Sequence, residues 1–215
     1  MRDCVFLVAD KNMGAAFQGF LEREQFHQSL RCGLFEFDVQ QDLIVAVGQS
    51  DPGLYTRGHG ILSSYQKTHQ YAIVALDEAW NGSPGAMKIK GKILQDLIES
   101  GWRRERVEVI VICPELEAWV CHDSPHVEKV LGCTKAGISL KDSLVLAGLW
   151  QQEKTKPDDP KAGIERIVKQ VKMPRSSALY KSITAEISVR RCIDPAFEEL
   201  RDALERWFPI EEEQG

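Results

Sequence analysis

Three apolar runs in this chain end in acid, and those acids are the side chains best suited to chemistry. Val5-Phe6-Leu7-Val8-Ala9 leads into Asp10, and Ala72-Ile73-Val74-Ala75-Leu76 leads into Asp77-Glu78. Val109-Ile110-Val111-Ile112-Cys113 leads through Pro114 into Glu115-Leu116-Glu117. Short runs rich in Val and Ile, with helical stretches between them, read as buried parallel strands. In open α/β sheets the carboxyl ends of the strands line the ligand crevice. Carboxylates gathered there repel one another unless a positive charge sits among them. A divalent cation fills that role, and Mg2+ (or Mn2+) suits oxygen ligands that act on phosphates. The expected ligands are Asp10 and Asp77, with Glu78 or Glu115 completing the shell. Taken singly, each acid has an ordinary alternative as a helix N-cap.

A cation held there would polarise a phosphodiester and lower the pKa of an attacking water. Glu117 is then the residue to orient that water or act as base. Lys11, beside Asp10, is the nearest group to neutralise a phosphate oxygen, and Arg57 and His59 offer the same service from a glycine-rich segment. His59 also has a neutral form suited to proton transfer at pH 7, although a lone loop histidine is more often only solvated. The glycines at 53, 58 and 60 follow neither the phosphate-loop nor the dinucleotide spacing. Cys121, His122, His126 and Cys133 match no standard zinc template.

The elements that must position these groups follow from patterning. After the first strand, Phe17, Phe20 and Leu21 recur at helical spacing. Gly33 to Val39 alternates at period two and predicts a half-exposed edge strand. Leu43 to Val47 reads as a strand or a helix start. Gly48 to Gly60, dense in Gly, Pro and Asp, reads as a loop, followed by a helix over Ile61 to His69 and a strand over Tyr71 to Leu76. A helix over Ala86 to Ser100 is stopped by Gly101, and a strand spans Val107 to Cys113. Glu115 to Val120 starts a helix with acid in its first turn, where the dipole favours it. From Asp123 the pattern is helical: Ser124–Leu131, Ser139–Gln152, Pro160–Lys172, Ser176–Arg190 and Pro195–Phe208, with Glu211 to Gly215 frayed. The expected organisation is an α/β domain over residues 1–122, its mostly parallel sheet flanked by helices, with a helical C-terminal subdomain over 123–215 packed on it.

The 215 residues, 43% of them hydrophobic, support a real core. No apolar stretch approaches the ~20 residues of a membrane span, and no signal-peptide pattern opens the chain, so a cytoplasmic protein is expected. Its 6 cysteines are scattered without a Cys-x-x-Cys pair and read as reduced thiols. A net charge of −5 argues against coating nucleic acid by bulk attraction. Local basic stretches remain, at Lys88-x-Lys90-x-Lys92 and from Lys154 to Lys181. Nucleic-acid contact is therefore expected at Lys88, Lys90, Lys92 and Lys181. Trp80, in a Gly/Pro/Ser segment, is placed to stack on a base or on a partner protein.

Alternating strands and helices with acid at the strand ends, followed by an all-helical part, resembles the Toprim domain. In that family a Glu closes the first strand and an Asp-x-Asp pair closes the third, jointly placing Mg2+. The matching positions here are Asp10 and Asp77. A closer resemblance covers most of the chain. Pro114-Glu-Leu-Glu-Ala-Trp119, Pro160-Lys161, Leu179-Tyr180-Lys181 and Cys192-Ile-Asp-Pro-Ala-Phe197 follow the landmark order of an uncharacterised Toprim-like bacterial family associated with phage defence. Phe6-Leu-Val-Ala-Asp-Lys11 is similar to a component of the methylation-associated defence system. The resemblance implies an antiviral protein with a Mg-dependent, nuclease-like phosphoryl-transfer site, or else a non-catalytic subunit that binds other defence-system proteins. The chain departs from the pattern in two places. Asp10 is one methylene shorter than the family's Glu, and Ala79 stands where the second Asp of Asp-x-Asp belongs.

Overall fold

The computed structural model describes residues 1–46, 50–189 and 192–210. Each apolar run forms a strand: β1 (Arg2–Val8), β3 (His69–Asp77) and β4 (Val107–Ile112), joined by a short β2 (Leu43–Val45). All pairings are parallel, in the order β2-β1-β3-β4. Parallel strands need crossover connections, and helices supply them on both faces.

Alternate strand residues supply two separate cores. Cys4, Phe6, Val8, Ile73, Ala75, Ile110 and Ile112 face one side. There they meet α1 (Lys11–Leu21), α11 (Ser177–Glu186) and α12 (Pro195–Trp207). Val5, Leu7, Val74, Leu76, Val109 and Val111 face the other side, against α4 (Asp51–Leu62) and α5 (Ala86–Glu99). The result is an α/β protein with a parallel sheet between helical layers, as the strand patterning requires. Burial on both faces explains why β1, β3 and β4 read as continuous apolar runs rather than as alternation.

The remaining helices are short: α2 (Phe26–Leu30), α3 (Val39–Asp42), α6 (Glu117–Val120), α7 (Pro125–Val130), α8 (Cys133–Ala136) and α9 (Leu140–Leu146). The longer α10 (Pro160–Gln170) is capped by Asp159, whose side chain accepts from the Ala162 amide at 2.9 Å. From Asp123 onward every described regular element is helical, and Trp150, Ile164, Ile167, Tyr180 and Phe197 share one apolar cluster with the sheet. The tightest contact lies between α1 and α11. A β-carbon on Gly19 would stand 2.5 Å from the Lys181 carbonyl oxygen, so only a residue without a side chain fits. Asp194 caps α12 and also accepts from the Trp119 indole at 2.9 Å, linking this helix to α6.

Three expectations fail. Gly33 to Val39 is not a strand: Phe35 is buried and Phe37 packs on the core, yet the segment pairs with no neighbouring strand. Of the segment read as a loop over 48–60, the described part is not one, because Asp51-Pro52 starts a helix that continues to Leu62 through three glycines. Proline suits the first turn, and burial of Leu54, Gly58 and Leu62 holds the rest. Consequently Ile61 to His69 is not a helix of its own; a short 3-10 turn at Ser63–Tyr65 leads into β3. Val47, Gly48, Gln49, Arg190, Arg191 and the tail from Glu211 lie outside the described residues.

Candidate functional site

The chain leaves β1 for one face of the sheet through α1, and leaves β3 for the opposite face through α5. Between β1 and β3 the connections diverge, which is where open α/β sheets form their ligand crevice. Asp10 follows β1, Asp77 ends β3, and Glu115 and Glu117 follow β4, so these acids lie beyond the carboxyl ends of three adjacent strands. Sequence reading missed a fifth acid. Asp51 opens α4, and its Oδ1 accepts from the backbone amide of Asp77 at 2.8 Å.

Asp77 is the centre of the cluster. Its Oδ1 accepts from the Leu116 amide at 2.9 Å, which ties the end of β3 to the turn after β4. Burial pushes its carboxyl up to about 9, and the charges of Asp51, Glu117 and Asp10 push in the same direction. Asp51 is raised by burial too, with Asp10 and Glu115 adding to the effect and the Asp77 amide opposing it. Asp10 caps α1, its Oδ1 accepting from Met13 N at 2.8 Å. Asp10 and Asp77 thus share a pattern. One oxygen of each is fixed by a backbone amide, and among the described residues the other accepts no hydrogen bond.

Glu115 and Glu117 differ, because the helical part of the chain brings cations to them. Lys161 Nζ donates to Glu115 Oε1 at 2.5 Å. That bond is the main reason the Lys161 ammonium holds its proton more tightly than usual, against the opposing effect of burial. Glu117, buried, accepts from Tyr180 Oη at 2.6 Å and from Arg175 at 2.5 Å. Arg175 also reaches Glu165 and the Tyr180 hydroxyl, closing a network around the one carboxylate. The positive charge expected among the acids is therefore partly supplied by the protein itself. Asp10, Asp51 and Asp77 have no salt bridge among the described residues.

Two expected site residues do not join. Glu78 follows the end of β3 in a bend, and its side chain turns to α5. Its Oε1 accepts from the Ala86 amide at 3.0 Å at the start of α5, a capping role rather than a ligand's. His59 lies about two turns along α4 from Asp51, with Nδ1 3.7 Å from an Asp96 carboxylate oxygen on α5. Lys11 is exposed at the first position of α1, next to Asp10. Among the described residues no group of three His, Cys, Asp or Glu side chains stands close enough to hold a metal ion. Cys121, His122, His126 and Cys133 form no such group either.

The expected nucleic-acid contacts are largely committed elsewhere. Lys90 pairs with Glu108 at 3.2 Å and Glu199 at 3.0 Å, and Lys181 pairs with Glu22 at 2.7 Å. Lys92 pairs with Asp96 and lies over the Tyr55 ring, leaving Lys88 exposed. Trp80 leans on Tyr55, with ring centroids 6.0 Å apart. Among the described residues no helix is long and apolar enough to cross a membrane. The chain matches no protein-family model, and no curated protein or solved structure matches it either.

Proposed function

We propose that the crevice lined by Asp10, Asp51 and Asp77 is a Mg2+- or Mn2+-dependent phosphoryl-transfer site, nuclease-like and reduced relative to the Toprim pattern. The supporting observation is Asp77, a carboxyl held among three other acids with no cation of the protein against it. Such a group at neutral pH either keeps a proton or takes up a cation. The donor set suits a hard divalent ion, since every candidate ligand atom is a carboxylate oxygen. Asp10 and Asp77 would hold the ion, with their orientation already fixed by the Met13 and Leu116 amides. With no third carboxylate close enough among the described residues, waters and the substrate's phosphate oxygens would complete the shell, and Asp51, bonded to the Asp77 amide, would position the end of β3.

When bound, the ion supplies charge to polarise a phosphodiester and to acidify a water. Lys11, exposed beside Asp10, binds a phosphate oxygen. Glu117, gripped by Tyr180 and Arg175, forms a rigid wall rather than a mobile base. The role in bacterial antiviral defence is carried by the sequence resemblance.

A second reading has its own support. Glu115 and Glu117 are neutralised by Lys161 and Arg175, and Glu78 is spent on capping α5. A site so depleted suits a non-catalytic subunit that binds other defence proteins.

Cleavage assays on supercoiled plasmid, single-stranded DNA and RNA with Mg2+ or Mn2+ separate the two readings. The enzyme reading expects cleavage that is lost in Asp77→Asn and Asp10→Asn and kept in Glu78→Gln. Absence of cleavage on every substrate, or cleavage undiminished in Asp77→Asn, overturns it.

A further inference from the structure

The segment from Lys154 to Lys181 is rich in cations, and the fold sorts them into two groups. Lys161, Arg175 and Lys181 are consumed by Glu115, Glu117 and Glu22, while Lys154 pairs with Asp158. Lys156 donates to the Ala118 carbonyl at 2.6 Å. Arg166, Lys169 and Lys172 are exposed and make no ion pair among the described residues, and the same holds for Lys135 on α8.

These four unpaired cations line two hollows. Arg166 and Lys169 border one of about 390 Å³, between α9 and α10. Lys172 and Lys135 border another of about 460 Å³, between α8 and the turn after α10. Gln170 on the first and Val171 on the second are consecutive in the chain, so both hollows lie at the end of α10. No Asp or Glu lines either, although the whole chain carries a net charge of −5. Charge segregated in this way on an acidic protein marks a local anion-binding face.

We infer that the end of α10, through Arg166, Lys169 and Lys172 together with Lys135, is a nucleic-acid-binding face that grips the phosphate backbone without reading sequence. Two concave hollows at the end of one helix suit a chain bearing repeated anions better than a flat bilayer. Neither hollow is lined by an aromatic side chain on which a base would stack, so the contact is with the backbone. The same helix carries Lys161, bonded to Glu115, in its first turn, so the face and the acidic crevice share one rigid element. The choice of phosphodiester over polycarboxylate rests on the phosphoryl-transfer reading.

The test is fluorescence anisotropy with a labelled mixed-sequence 20-nucleotide single strand, in EDTA so that no metal chemistry contributes. Four phosphate contacts predict a slope of roughly −3 in log affinity against log salt, and roughly 50-fold weaker binding at 200 mM than at 50 mM salt. Arg166→Gln with Lys169→Gln is expected to cut the slope by about half, and substitution of the exposed Lys67, Lys67→Gln, to leave it unchanged. No binding at 50 mM salt, or binding unaffected by the double substitution, overturns the inference. Stronger binding to polyglutamate or to phosphatidylserine vesicles than to DNA overturns it as well. Because cleavage is not read, a binding face without a working metal site gives binding with no cleavage, and a working site without this face gives the reverse.

Discussion

Asp77→Asn is expected to stabilise the metal-free protein, and the size of the effect follows from linkage. The folded carboxyl titrates at about 9 against an ordinary value of 3.8. Between those values the folded state holds a proton that the unfolded chain releases, so stability falls as pH rises. The slope is up to ~1.4 kcal/mol per pH unit, which gives roughly 4 kcal/mol at pH 7 as an upper bound. Water entering the crevice and relaxation of the neighbouring acids reduce this to about 2 kcal/mol. Asparagine keeps the shape of Asp77 and the acceptor for the Leu116 amide, and its amide nitrogen donates towards Asp51 or Asp10. The substitution should therefore raise stability by about 2 kcal/mol at pH 7, or the melting temperature by about 4–8 °C. The gain should shrink towards pH 4, where the unfolded carboxyl begins to hold its proton, and vanish below about pH 3, where both states are protonated. Urea denaturation in EDTA at pH 4, 5.5, 7 and 8.5, followed by circular dichroism, measures it. A destabilised variant, or a difference that does not change with pH, would refute the reasoning.

Other consequences are equally direct. Tyr180→Phe removes one donor from the buried Glu117 and should cost about 1.5–3 kcal/mol; in a Glu117→Gln background the loss should shrink, and a double-mutant cycle reads the difference. Gly19→Ala forces a β-carbon against the Lys181 carbonyl and Thr184 on α11, so thermal denaturation should show a loss of about 1–3 kcal/mol. Burial pushes the His122 imidazolium down to about 4. The unfolded chain then binds more protons between pH 4 and 6.5, and this residue removes stability as pH falls through that window. NMR titration should find no His122 transition above pH 5.

The core of the fold was legible because β1, β3 and β4 are buried on both faces and so carry unbroken apolar runs. The same patterning misled at Gly33 to Val39. Phe35 and Phe37 anchor an irregular segment there, and the Glu36 amide bonds Asp3 rather than a strand partner. Helix α4 was hidden by its glycines, and Asp51 was hidden with it. Only the Asp51-Pro52 pair, a usual helix opening, signalled either. Asp10 and Asp77 were readable because each directly ends its strand. Lys161 and Arg175 were not, since they arrive at Glu115 and Glu117 from 46 and 58 residues away. Local pattern carries no information about a pairing set by how α10 and α11 dock. Glu78, expected as a ligand, is instead spent on the cap of α5, a pairing across eight residues that strand patterning does not show.

Calorimetric titration of the wild type and Asp77→Asn with Mg2+ and with Mn2+ tests the proposed cation site most directly. Saturable binding by the wild type that is abolished in Asp77→Asn and retained in Glu78→Gln is the predicted result. Absence of binding to the wild type, or equal binding by Asp77→Asn, would contradict it.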